Sequence, residues 1–189
     1  MIRGFTNRLI GVTISFISVA YMDVFDAIRT RRSIRVFEPR PVEQEKLLRV
    51  LEAARLAPSA GNRQPWRFII VTDQKVKESL RPPHRRGPVL TAPIIIVGCA
   101  IPSESFPGTD FWKIDVAIAL QNLVLEAWEL GLGTCWLGVF HEEEEIKKVL
   151  GLPEGARIVA MVELGYPAER KGPVVDRKPL DEIVRYNHW

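Results

Sequence analysis

Arg31-Arg32-Ser33-Ile34-Arg35 is the most informative stretch of this 189-residue chain. It places three guanidinium groups and a hydroxyl close together, between apolar residues at 24–28 and at 36–37. An arginine side chain offers five donors in a rigid fork that matches phosphate oxygens, and it stays charged at any working pH. Because apolar residues flank the cluster, we expect it to be anchored to a core and to bind the phosphate of a cofactor. The alternative is a solvated basic turn, which is a common surface feature.

The composition is that of an ordinary globular domain, with 47% hydrophobic and 26% charged residues. A chain of this length can bury a core as one domain. The net charge of only +3 argues against a nucleic-acid-binding protein, which would carry a basic stripe with interleaved aromatic residues. An anion- or nucleic-acid-binding module that uses Arg81, Arg85 and Arg86 remains an alternative.

Periodicity and turn residues predict an alternation of helices and strands. Helices are predicted over residues 22–30, 43–57, 73–80, 110–130, 142–150 and 181–186, and strands over 67–71, 94–99, 134–140 and 158–164. In the first helix Asp23 is the expected cap, and Val24, Phe25 and Ile28 form the apolar face. The strand at 94–99 is apolar throughout, which predicts burial on both faces of a sheet.

Residues 1–21 lie outside this pattern and are predicted to be an N-terminal extension of a domain at 22–189. Arg3 and Arg8 precede an apolar run that resembles a signal peptide, but the run is too short to span a membrane. Apolar and small residues alternate from Ile10 to Phe16, which favours an extra strand that packs on the domain.

Several common kinds of site are excluded by their missing motifs. The three histidines and the cysteines Cys99 and Cys135 are not at zinc-ligand spacing, and both cysteines lie in apolar runs typical of buried thiols. No nucleophile elbow or P-loop is present. Gly131-Leu132-Gly133 follows a helix and precedes a strand, the reverse of the order in a dinucleotide-binding turn.

Residues 58–66, Pro-Ser-Ala-Gly-Asn-Arg-Gln-Pro-Trp, form a second candidate binding segment. Small residues let a flat ligand approach the backbone, and Asn62 and Gln64 each offer donors and an acceptor. Alone, this segment is equally consistent with a structural turn. Together with the Arg cluster and residues 131–138, it indicates a planar, phosphorylated heterocycle as the ligand.

The chain resembles the nitroreductase family of FMN-dependent oxidoreductases in four blocks that occur in order. They are Arg31-Arg32-Ser33-Ile34-Arg35; Pro58-Ser59 with Asn62-Arg63-Gln64-Pro65-Trp66; Gly131-Leu132-Gly133-Thr134-Cys135-Trp136-Leu137-Gly138; and Gly165-Tyr166-Pro167-Ala168-Glu169 followed by Arg177-Lys178-Pro179-Leu180. The resemblance covers residues 22–186. It implies an α+β fold with a central mixed sheet flanked by helices, and a homodimer with two FMN sites at its interface.

The resemblance also implies roles for individual residues. Arg31, Arg32, Ser33 and Arg177 would hold the phosphate and ribityl chain, and Arg35 would lie near the pyrimidine edge of the flavin. Pro58, Ser59, Asn62 and Gln64 would reach the ring from the partner subunit. Trp136, Leu137 and Gly138 would contact the other edge of the ring.

The implied activity is ping-pong reduction of nitro compounds, quinones or similar small-molecule acceptors by NADH or NADPH. Flavin N5 would carry the chemistry with no catalytic residue on the protein, and Arg35 would tune the flavin. The alternatives are a dehalogenase-like or flavin-cleaving enzyme and a non-catalytic flavin-binding protein. We expect a cytoplasmic protein that binds neither nucleic acid nor a membrane.

Overall fold

The computed structural model describes residues 22–80, 91–139, 143–172, 174 and 176–189. Its helices are α1 (Val24–Thr30), α2 (Gln44–Arg55), α3 (Gln74–Ser79), α4 (Phe111–Glu129), α5 (Glu143–Leu150) and α6 (Leu180–Ile183). Its strands are β1 (Trp66–Val71), β2 (Ile94–Ala100), β3 (Gly133–Gly138) and β4 (Arg157–Gly165). These elements confirm the predicted ones to within a few residues. The strand expected between Ile10 and Phe16 lies outside the described residues, as do Arg81, Arg85 and Arg86.

The four strands form one sheet in the order β1-β2-β4-β3. All three pairings are antiparallel: β2 runs against β1 and β4, and β4 also runs against β3. The α+β class is confirmed, but the expected mixture of strand directions is reduced, within the described residues, to one isolated parallel bridge between Ser33 and Thr134.

Helices cover both faces of the sheet. On one face α2 and α4 pack over alternate strand residues such as Ile96 and Val162, and on the other α3 and α5 contribute to a cluster that contains Ile95 and Met161. Every residue of β2 is buried, which confirms the prediction from its unbroken apolar run. The sheet therefore forms a rigid support for the segments at its edges.

The Arg cluster lies beside the edge strand β3. The Ile34 amide donates to the Thr134 carbonyl at 2.8 Å, and the Ile34 side chain is 1% exposed. Further along, Phe37 pairs with Pro167 just after β4. Residues 33–37 are thus held against the ends of two strands, while the side chain of Arg35 between them is exposed.

Helix α1 begins at the expected cap, where the Asp23 carboxylate accepts from the Phe25 amide at 2.8 Å. Within the part of the chain that the structure describes, its expected apolar face is largely exposed, with Val24, Phe25 and Ile28 at 71%, 68% and 54%. The amphipathic pattern predicts this helix, and the structure confirms it. No helix among the described residues is long and apolar enough to cross a bilayer.

Candidate functional site

A cavity of about 310 Å³ lies at the Arg cluster. Its walls include five predicted cofactor residues, Arg31, Arg32, Ser33, Arg35 and Arg177. Lys171, Val174 and Asp176 also line it. The structure therefore brings together two parts of the chain that are far apart in sequence. Arg35 shares this cavity with the four residues expected to bind phosphate.

The arginines of the cavity are close enough to affect one another. The pKa of Arg31 is lowered, chiefly by burial and then by the positive charges of Arg177 and Arg32. Arg32 donates to the Gly172 carbonyl, and Arg177 donates to the Asp176 carbonyl at 2.7 Å. Since these two contacts use backbone carbonyl oxygens, they do not neutralise the guanidinium charges of Arg32 and Arg177. The donor set and the crowded positive charge fit a phosphate.

Two further residues of the site were not predicted as ligands, namely Glu169 and Lys171. The Arg35 amide donates to Glu169 Oε1 at 2.6 Å, and Lys171 Nζ lies 3.0 Å from the same oxygen. Lys171 also donates to the Ser33 carbonyl at 2.5 Å. Glu169 stood in the fourth sequence block, but a charged residue in a polar turn gives no local signal of such contacts.

The segment at 58–66 forms a tight turn around a 3₁₀ helix, Ala60–Asn62. Ser59 shapes it, because its hydroxyl accepts from the Gln64 amide at 3.0 Å and its carbonyl accepts from the Asn62 amide at 2.9 Å. Gly61, Asn62 and Gln64 have φ angles of 57°, 54° and 52°. Two non-glycine residues in the left-handed region within one turn is a costly arrangement that is typical of functional loops.

This turn does not lie at the cavity of its own chain. It leads into Trp66, which pairs with Ala100 at one corner of the sheet, whereas Ser33 pairs with Thr134 at the opposite edge and the opposite end. With about 4.8 Å between strands and about 3.3 Å per residue, the two corners are roughly 25 Å apart. Pro58, Ser59, Asn62 and Gln64 therefore cannot contact a small ligand bound beside the Arg cluster of the same chain.

The third predicted group runs along the edge strand β3. Trp136 is 39% exposed, whereas Leu137 is 5% exposed and belongs to the core cluster under α5. A contact from Leu137 to a ligand is consequently limited to its backbone. Gly138 is partly exposed at the end of the strand.

The two cysteines are free, buried thiols. Cys99 is 2% exposed, and burial, followed by the charge of Glu143, raises its pKa to about 12. Cys135 is also buried, and neither thiol is in a disulfide. Among the residues that the structure describes, no group of histidines, cysteines and carboxylates could hold a metal ion.

Comparisons with known proteins agree with this picture. Residues 28–93 and 83–166 match the sequence model described as the Nitroreductase family. A protein from Archaeoglobus fulgidus, provisionally named NADH dehydrogenase/NAD(P)H nitroreductase, is 43% identical over 76% of this chain and 85% of its own. One of the same provisional name from Methanothermobacter thermautotrophicus is 40% identical over 88% of this chain and 90% of its own. The solved structure of an FMN-dependent nitroreductase from Clostridium difficile superposes with a TM-score of 0.78 at 31% identity, covering 86% of this chain and 98% of that one.

Proposed function

Because this chain belongs to the nitroreductase family of oxidoreductases, we propose that it is an FMN-dependent NAD(P)H oxidoreductase that reduces nitro compounds, quinones or similar acceptors. The observation that carries this proposal is the cavity lined by Arg31, Arg32, Ser33, Arg35 and Arg177. Its guanidinium groups are crowded, and the pKa of Arg31 is lowered by burial and then by the positive charges of Arg177 and Arg32. A doubly charged phosphate is the ligand that this arrangement would stabilise.

FMN, when bound, supplies the chemistry by which two electrons pass from NAD(P)H to an acceptor. The chain's own residues bind and orient it. In this proposal Arg31, Arg32, Ser33 and Arg177 hold the phosphate and ribityl chain, and Arg35 provides a fixed positive charge near the ring. A preorganised charge at that position stabilises negative charge that develops during the reaction. No acid–base pair on the protein is needed.

The proposed enzyme is a homodimer whose sites are completed in trans. Residues 58–64 lie at the corner of the sheet opposite to the Arg cluster, which supports a site that these residues complete in another copy. Apolar surface is available for such an assembly on α1 and on the C-terminal segment, where Leu180, Ile183 and Tyr186 are 74%, 60% and 85% exposed. Exposed apolar surface of this kind marks protein interfaces.

The dehalogenase-like or flavin-cleaving alternative is less well supported. The connection between β2 and α4 covers only residues 101–110 and contains one short 3₁₀ helix, Pro102–Glu104. Such a short connection offers little chain to cover a site, and an open site suits varied acceptors. The two relatives with 40% and 43% identity also carry reductase names.

The proposal is tested by the absorption spectrum of the purified protein after incubation with FMN and desalting, followed by titration with NADH and NADPH. We expect a flavin spectrum, bleaching by a reduced nicotinamide, and steady-state oxidation of that nicotinamide with a quinone or nitro compound. A colourless protein would contradict the whole proposal. A flavin spectrum without turnover would instead identify a non-catalytic flavin-binding protein.

A further inference from the structure

The segment of the Arg cluster and the chain after β4 are joined by a short backbone ladder that ends just before Arg35. The Glu38 amide donates to the Tyr166 carbonyl at 2.9 Å, and the Ala168 amide donates to the Val36 carbonyl at 2.9 Å. For the amide of Arg35, the acceptor is a side chain, because it donates to Glu169 Oε1 at 2.6 Å. The next hydrogen bond along these two segments is therefore accepted by a carboxylate and not by a backbone carbonyl.

The same carboxylate oxygen has a second donor. Lys171 Nζ lies 3.0 Å from Glu169 Oε1 and donates to the Ser33 carbonyl at 2.5 Å. The contacts form a closed path from Ser33 through Lys171 and Glu169 to Arg35. They restrain the two ends of a three-residue stretch whose middle residue, Ile34, is fixed in the core.

The path also explains how a carboxylate is tolerated beside an anion site. The Arg35 amide, followed by the contacts of Lys171, holds the pKa of Glu169 below its ordinary value, so the group is ionised at neutral pH. Its negative charge is directed at the Lys171 ammonium. The arginines of the cavity remain available to an incoming phosphate.

We propose that Glu169 is a positioning residue for the flavin, which acts through the Arg35 amide and the Lys171 ammonium to fix the conformation of residues 33–35. The inference rests on the proposed function, since the residues that Glu169 positions are those proposed to bind FMN. Glu169 is not among the described residues that line the cavity. It fixes the position of the Arg35 guanidinium and holds Lys171 at the wall of the cavity.

The roles of acceptor and charge can be separated by substitution. Glu169→Gln retains an oxygen that accepts from the Arg35 amide but removes the counter-charge of Lys171. Glu169→Ala removes both. Lys171→Met removes the contact with the Ser33 carbonyl and leaves the Glu169–Arg35 contact in place. Glu145→Ala, an exposed carboxylate on α5, is the matched control.

With flavin bound, the readout is the reduction potential, measured beside the dissociation constants of FMN and riboflavin. We expect Glu169→Ala to weaken FMN about tenfold, the scale of one lost charge-assisted hydrogen bond, and to move the potential in the same direction as Arg35→Ala. In an Arg35→Ala background, Glu169→Ala should change the potential little further. Glu169→Gln should recover most of the potential shift. A potential unchanged in Glu169→Ala, or equal effects of Gln and Ala, would overturn the proposal.

A second measurement needs no flavin. In the protein without cofactor, hydrogen exchange at the Arg35 amide should accelerate at least tenfold in Glu169→Ala and should remain slow in Glu169→Gln and Glu145→Ala. Unchanged exchange in Glu169→Ala would overturn the positioning role even if the protein is a flavoenzyme. Accelerated exchange in a protein that never binds FMN would instead contradict the proposed function.

Discussion

Gly133 carries no β-carbon at the place where Ile34 packs onto the edge strand. A β-carbon there would lie 2.8 Å from Ile34 Cγ1 and 2.9 Å from Ile34 Cβ. Because the second of these atoms is attached to the backbone, Ile34 could not avoid the clash by changing its rotamer. The close approach of residues 33–35 to β3, and with it the shape of the cavity, depends on this glycine.

Gly133→Ala is therefore expected to destabilise the fold by about 1–3 kcal/mol, the usual cost of overpacking, and to weaken FMN binding. Urea unfolding and FMN titration measure the two effects. Gly172→Ala is the matched control, because a β-carbon at Gly172 would meet nothing within 4 Å and its carbonyl remains available to Arg32. If both variants behave alike, the contact between Gly133 and Ile34 does not shape the site.

Arg31→Ala and Arg177→Ala are each expected to weaken FMN far more than riboflavin. Each substitution removes a charge-assisted contact worth roughly 1.5–3 kcal/mol, or about one to two decades of affinity. Arg→Lys at either position should recover only part of the loss, because an ammonium cannot make the paired contact. Fluorescence titration with both ligands provides the measurement, with Arg185→Ala as a surface control. Equal losses for FMN and riboflavin would end the assignment, because riboflavin has no phosphate.

Arg35→Ala should behave differently from these two variants. If its guanidinium faces the ring, its loss lowers the reduction potential of the bound flavin and slows reduction by NADH or NADPH, while FMN affinity changes less. Redox titration and stopped-flow reduction separate the effects. A variant that loses FMN as strongly as Arg31→Ala, at an unchanged potential, would place Arg35 at the phosphate instead.

Asp115 on α4 anchors the strained turn from inside the core. It is 3% exposed, and its Oδ1 accepts from the Ala60 amide at 3.0 Å. Asp115→Ala should release the turn, altering the visible spectrum of the bound flavin and lowering turnover. The ratio of FMN to riboflavin affinity should not change, because the phosphate site lies elsewhere. Asp115→Asn keeps the acceptor and should preserve both properties; a loss of turnover equal to that of the alanine variant would contradict this role.

The acid stability of the fold should depend on Glu43. The Tyr166 hydroxyl donates to Glu43 Oε2 at 2.6 Å, and this bond, with a backbone contact and Arg40, lowers the pKa of Glu43 to about 2. A carboxyl whose pKa is lower in the folded state stabilises the fold above its unfolded pKa and loses that effect as pH falls toward the folded value. The melting temperature of Glu43→Gln should therefore approach that of the unmodified protein between about pH 4.5 and pH 2. A difference that stays constant over this range would show that Glu43 acts through packing.

Local periodicity was sufficient to place the helices and strands, because burial leaves a regular trace in each of them. The unbroken apolar run of β2 and the nearly all-round apolar surface of α4 are examples. The relative directions of the strands could not be predicted from periodicity. They depend on the position of β4 between β2 and β3, which is set by contacts between distant segments. The apolar side of α1 shows the same limit, because periodicity reveals a face but not which chain covers it.

The candidate site shows a similar division. The Arg cluster was visible because several like charges stand together, and Arg177 was associated with it only through the family resemblance. The sequence does not predict a role for Glu169 and Lys171. They are two residues of opposite charge in a polar turn, which is a common arrangement at protein surfaces. Their proposed role depends on the distances from Glu169 Oε1 to the Arg35 amide and to Lys171 Nζ, which the sequence pattern does not predict.

The turn at 58–64 and the Arg cluster lie at opposite corners of one sheet, and in the proposed dimer this separation has a genetic consequence. In the proposed dimer, each site combines the Arg cluster of one chain with the turn at 58–64 of the other. Arg31→Ala damages the site that contains the variant chain's own Arg cluster, and Asn62→Ala damages the site in the partner chain. A hybrid of these two chains would concentrate both defects in one site and leave the other wild type in every residue. Two alleles of lowered activity expressed together should thus complement each other, and each hybrid dimer should regain about half of the normal activity.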